Sequence, residues 1–258
     1  MGADANDNGI TIAAIGLLAY ASADIAHHVL GHGGACLALG GSIISLSSVF
    51  VGCSLHGATI DLAGPLANLA LGITAMLVIR VTKTISATKR LFWALAVVFN
   101  LFWFAGQLVF SVVTRTDDWA WAMDKLGVTE PGRFGLLVIG VVAYVLVIRY
   151  SSRQLTHYSC PRKRASRIVL FALVAAGLTA CVTASFGRDT IRVILVQALP
   201  QSVLLPIGLL FVPRRAARLL GCENQAASIP FSSSWIGVAG VVGLVSVVFL
   251  GPGIAVAI

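Results

Sequence analysis

Apolar runs of roughly 20 residues recur along the whole length of this chain, each long enough to cross the hydrocarbon core of a bilayer as a helix. Nothing else limits the fold as tightly. A backbone carried into lipid must satisfy its own amides, which leaves helices or closed barrels. The runs are continuously apolar rather than alternating, which argues against a barrel. Composition agrees: of 258 residues, 58% are hydrophobic and 11% charged, where a soluble domain carries about a quarter charged. The expectation is an all-α polytopic membrane protein with six or seven transmembrane helices.

Span one is read from Ile10 through His28, continuing brokenly to Leu39. A semi-polar stretch, 41–61, is rich in Ser, Gly and β-branched residues and reads as a re-entrant or surface hairpin. Spans two and three follow at 62–79 and 91–113, then an acidic loop at 114–133. Spans four to seven are expected at 134–148, 168–186, 193–212 and 235–250. Pro200 and Pro206 should kink span six, since neither donates a backbone hydrogen bond.

The net charge of +8 comes from three basic groups that fall after every second span. They are Arg80-Lys83-Lys89-Arg90, the stretch from Arg149 to Arg167, and Arg214-Arg215-Arg218. This is the positive-inside pattern. It makes the charge a topology signal with affinity for anionic lipid, not a nucleic-acid site, and fits a multi-pass protein of a bacterial inner membrane. His56, Asp61, Asp117, Asp118 and the histidine end of span one then share the outer face. Cys160 and Cys222 fall in inner loops and Cys181 in a span, while Cys36 and Cys53 share the outer side, where a disulfide is one option. The first nine residues lack a basic stretch, so no cleaved leader is expected.

Chemistry concentrates in Ala26-His27-His28-Val29-Leu30-Gly31-His32-Gly33. Imidazole is costly in hydrocarbon, so histidines inside a span suggest a functional site. At α-helical spacing Asp24, His28 and His32 line one stripe. A zinc ion takes about three protein ligands, and an acid behind a histidine ligand fixes its tautomer. His28 and His32 are the expected ligands, and Asp24 suits the supporting place behind His28. Asp118 is the expected third ligand, with Asp117, His56 and Asp61 as competitors. A plain polar packing network is the alternative. Gly64-Pro65 alone reads as a helix start. Asn100 and Gln107 read equally well as interhelical hydrogen-bonding glue or as groups that orient a substrate.

His28-Val29-Leu30-Gly31-His32 resembles the HExGH motif of the site-2 protease family, the intramembrane zinc metalloproteases. Ala63-Gly64-Pro65-Leu66-Ala67-Asn68-Leu69 is similar to that family's AGPxANL signature, and Phe99-Asn100-Leu101 to the FNL before its ligand aspartate. The resemblance covers residues 10–120. The added spans of 134–258 match no pattern. It implies zinc held by His28, His32 and an aspartate near 118, substrate contacts from Asn68, Asn100 and Gln107, and a transmembrane protein as substrate or partner. Two departures stand out. The family's glutamate, its general base, falls on Val29, which takes no proton, and NPxPxLDG is missing: the first acid after Asn100 is Asp117. A non-catalytic relative that binds membrane partners is therefore the favoured expectation. The alternatives are an active protease with Asp24, Asp61 or Asp117 as base, and a haem-binding or transport protein using His56 with His28 or His32.

Overall fold

Every apolar run folds as a helix, and polar flanking residues lengthen several of these helices at their N-terminal ends. The computed structural model describes residues 7–82, 84–158, 162–187, 189–219 and 227–255. Among these, seven helices are long and apolar enough to cross a membrane. They are α1 (Gly9–Ala38), α2 (Ala58–Val81), α3 (Ala87–Thr114), α5 (Glu130–Leu155), α6 (Arg162–Ala184), α7 (Thr190–Leu219) and α8 (Ser233–Leu250). A short helix, α4 (Asp118–Lys125), lies between α3 and α5. Several helices start earlier than the apolar runs suggest. Glu130 and Pro131 form the first turn of α5, where proline's missing N–H costs nothing. In α2 the start moves to Ala58, so Pro65 lies inside the helix instead of opening it.

The stretch between α1 and α2 is a hairpin, β1 (Ile43–Leu46) against β2 (Val51–Cys53), antiparallel. A third strand near the C-terminus, β3 (Ile254–Ala255), pairs with the other edge of β1. A Cys36–Cys53 disulfide ties the hairpin to the end of α1. Cys181 is a free thiol, and Cys160 and Cys222 lie outside the described residues.

Helix α3 forms the centre of the bundle, packed against α1, α2, α5 and the latter part of α7. Its buried residues include Leu91, Leu95, Phe99, Phe102 and Trp103. Helix α8 lies at the periphery against α1. Lipid tails are as apolar as leucine, so close van der Waals packing has to drive association here. Small residues supply it: a Cβ placed on Gly31 of α1 would lie 2.6 Å from Gly64 Cα of α2.

Polar contacts close the two ends of the bundle. At the end carrying the basic loops, the Asp7 carboxylate accepts from Arg164 at 2.6 and 2.7 Å and from Ile229 N–H at 3.0 Å. At the opposite end, Lys125 of α4 donates to Asp61 of α2 at 2.6 Å, and Arg133 of α5 donates to Asp124 at 2.5 Å.

Helix α7 departs most from regularity. Pro200 and Pro206 withhold two backbone donors, and the chain winds as π-turns over Ile194–Ala198 and Pro200–Leu204 and as a tight 3-10 turn over Leu205–Phe211. A side chain from α5 repairs the break: the Tyr144 hydroxyl donates to the Leu205 carbonyl and accepts from Gly208 N–H, both at 2.8 Å. Tyr144→Phe removes both bonds and leaves the ring in place. It should lower unfolding free energy in mixed micelles by about 1–2 kcal/mol. Wild-type stability in that variant would show that α7 needs no such repair.

Candidate metal centre

Helix α1 changes its winding where its histidines begin. From Ile25 to Gly33 it runs as a π-helix, closing hydrogen bonds to the fifth residue instead of the fourth. In an α-helix, side chains five apart diverge by about 140° around the axis. The wider turn brings His27 and His32 together, with ring centroids 4.7 Å apart and the two Nε2 atoms 3.1 Å apart. The His28 and His32 rings stand 6.2 Å apart. The group that could hold a metal is thus His27, His32 and Asp118. The expected His28–His32 pair presupposed α winding, which this segment abandons.

The hydrogen bonds fix where the ring protons sit. Asn68 Nδ2 donates to the Ala23 carbonyl at 2.9 Å and to Asn100 Oδ1 at 3.0 Å, and Asn100 Nδ2 donates to the Ala96 carbonyl at 2.8 Å. Backbone carbonyls only accept, so both amides are fixed in orientation. Asn68 Oδ1 therefore faces His27 Nδ1 at 2.7 Å, and that nitrogen carries the proton. His32 Nδ1 likewise donates to the Ile60 carbonyl at 2.7 Å. Each neutral ring is left with a lone pair on Nε2.

Those lone pairs converge on a carboxylate. Asp118 Oδ2 lies 3.0 Å from His27 Nε2 and 3.2 Å from His32 Nε2, and Gln107 Nε2 donates to the same oxygen at 2.8 Å. Asp118 opens α4, where Asp117 caps its backbone N–H at 2.9 Å. Burial and the neighbouring Asp118 charge push Asp117 up to about 6.

Three lone-pair atoms packed this closely repel one another unless a positive charge sits among them. Tetrahedral zinc with bonds of about 2.0–2.2 Å sets neighbouring ligands about 3.3–3.5 Å apart. The observed triangle of 3.0, 3.1 and 3.2 Å needs to open by only a few tenths of an ångström. Glycine provides the space: a Cβ on Gly64 would lie 2.4 Å from His32 Nε2 and 2.8 Å from His27 Nε2. Behind the centre, Trp103 stacks on the His27 ring at 4.7 Å and Tyr20 stacks on Trp103 at 6.2 Å, which fixes the ring plane.

The other expected residues fall around this group. Asp24 Oδ1 accepts from His28 Nδ1 at 3.1 Å, and both side chains are buried. His56 is exposed on the hairpin, and Asp61 is engaged with Lys125. Of Asn68, Asn100 and Gln107, the two asparagines hold the His27 ring, and Gln107 Nε2 donates to Asp118, which is the hydrogen-bonding alternative for Asn100 and Gln107. Sequence alone gives His27, Trp103 and Gly64 no role at the centre. The doubled histidine at 27–28 was the one signal for the first, because it offers two spacings to His32. A cavity of about 740 Å³ opens beside the centre, walled by the hairpin (Val49, Phe50, Val51), Phe110 of α3 and Val196 and Leu205 of α7.

Compared with protein-family models, curated proteins and solved structures, the chain matches none.

Two substitutions test this geometry. Gly64→Ala puts a methyl group between the ligand atoms and should abolish zinc retention in protein purified in detergent, measured by mass spectrometry of bound metal. Asn68→Ala frees the His27 ring and should weaken zinc binding about 10- to 100-fold in a chelator competition. Normal affinity in both would mean that these atoms do not hold the ion.

Proposed function

We propose that this chain is an intramembrane zinc-dependent hydrolase whose centre resembles that of the site-2 proteases and whose substrate is apolar polypeptide. The observation that carries the reading is the pair of imidazole lone pairs turned toward one carboxylate oxygen, at 3.0 and 3.2 Å. A donor set of two nitrogens and one oxygen suits zinc and leaves a position open for chemistry. When bound, the ion supplies Lewis acidity to a carbonyl or a water.

The remaining roles belong to the protein. His27, His32 and Asp118 hold the ion, and Asn68 and the Ile60 carbonyl orient the two rings. The objection raised by Val29 depended on α-helical register. With His27 as the first ligand, the next residue is His28. Its Nδ1 donates to Asp24, which leaves Nε2 as an acceptor. Its ring stands 4.8 Å from that of His27, and it lines the same cavity. His28 Nε2 is accordingly the atom that takes the proton of an attacking water, and Asp24 steadies the resulting charge. The basic loops at one end of the bundle and the Cys36–Cys53 disulfide at the other support a centre facing an oxidising compartment, as at the outer side of a bacterial inner membrane.

Detergent-purified protein should hold about one zinc per chain and His32→Ala should lose it. In proteoliposomes the wild type should cleave a fluorescence-quenched apolar peptide, and a chelator should stop it. His28→Ala should keep its zinc and cleave at least about a hundredfold more slowly. Wild-type protein without zinc sinks the proposal. Zinc without cleavage reduces the chain to a metal-holding scaffold that binds partners and does not cut them.

A further inference from the structure

The cavity has a wall that the centre does not explain. Gln197 and Gln201 of α7 line it opposite residues of the hairpin, one helical step apart on the irregularly wound stretch. The Gln201 Oε1 atom is buried without a partner. No hydrogen bond among the described residues involves either carboxamide. Leaving a buried amide unpaired costs stability, and Ala or Leu would build this wall without that cost. The winding keeps both residues at the cavity: Pro200 and Pro206 break the helix on either side of Gln201, and Tyr144 holds the break in place.

We propose that Gln197 and Gln201 are substrate-positioning residues that bind the backbone amides of an extended apolar peptide lying across the metal centre. This rests on the metal-hydrolase reading above. A carboxamide both donates and accepts, so it matches the alternating N–H and C=O of a peptide strand. Val49, Phe50, Val51, Phe110, Val196 and Leu205 offer apolar contact to its side chains, while Ser45, Ser54, His56 and Thr116 add polar groups elsewhere on the lining. A cavity of about 740 Å³ is within the usual range for ligand sites. An acyl chain of similar bulk would fill the apolar part and leave both carboxamides unpaired.

Three hydroxamates, titrated calorimetrically into zinc-loaded full-length protein, separate these ideas. Acetohydroxamate reports the metal alone, octanohydroxamate adds an apolar tail, and N-acetyl-Leu-Ala-Val hydroxamate adds peptide amides. The peptide probe should bind at least about tenfold tighter than octanohydroxamate. In Gln201→Leu that advantage should fall about fivefold, and further in Gln197→Leu/Gln201→Leu. Gln201→Met, closer in shape, should behave like Gln201→Leu. Acetohydroxamate should bind all variants equally, which also shows that they are folded and metal-loaded. An advantage unchanged in the variants overturns the proposal, as does octanohydroxamate binding as tightly as the peptide. Failure of acetohydroxamate to bind zinc-loaded wild type overturns the metal reading itself, and this inference with it.

Discussion

Each imidazole of the centre holds one proton, and both protons point away from it. That arrangement starts at backbone carbonyls, which can only accept. The Ala96 carbonyl of α3 sets Asn100, Asn100 and the Ala23 carbonyl set Asn68 of α2, and Asn68 sets His27 of α1. The Ile60 carbonyl of α2 sets His32. Three helices thus cooperate to present two nitrogen lone pairs to one point. Polar bonds between helices in a bilayer average only about 0.6 kcal/mol each. This network is therefore a weak adhesive and a strong orienting device, and its polarity is better explained by what it does to the rings than by stability.

The third member of the group is held differently. Asp118 sits on α4, a helix of 8 residues outside the spans, tied down by Lys125–Asp61, Arg133–Asp124 and the Gln107 amide. Ion pairs with a solvent-exposed member contribute about 1 kcal/mol or less. The α1 histidines, by contrast, sit within the packed interior of the bundle. A cation shared by the two would be the strongest single tie between α4 and α1, so metal affinity and the docking of α4 would rise and fall together.

Chain architecture was legible because its signal is length: a run of about 20 apolar residues has one cheap solution in lipid. Helix ends were less so, because Glu130-Pro131 and Ser233 extend helices into water, where hydropathy gives no warning. At the centre, His32 and Asp118 could be read from side-chain type and from charge placement. The choice of His27 over His28 could not. Apolar periodicity assumes 3.6 residues per turn, and a single extra residue in the turn exchanges which histidine faces the ligand point. Nor could the role of Asn68: a buried amide near a site reads alike whether it touches substrate or steadies a ligand, and only its partners decide.

The latter half of the chain completes the wall of the site and shares its core. Ile168, Leu209 and Val212 belong to the same buried cluster as Ile12, Phe99 and Trp103. Strand β3 caps the hairpin that walls the cavity, Tyr144 braces the broken helix facing it, and Val196 and Leu205 close its far side. A centre built on α1, α2 and α4 alone would stand open to lipid on that flank, and in hydrocarbon an ion and three polar ligands need an enclosing wall. The irregularly wound stretch of α7 fits that demand, because it carries two carboxamides, Gln197 and Gln201, on the cavity side while Tyr144 takes up the backbone groups freed at the break.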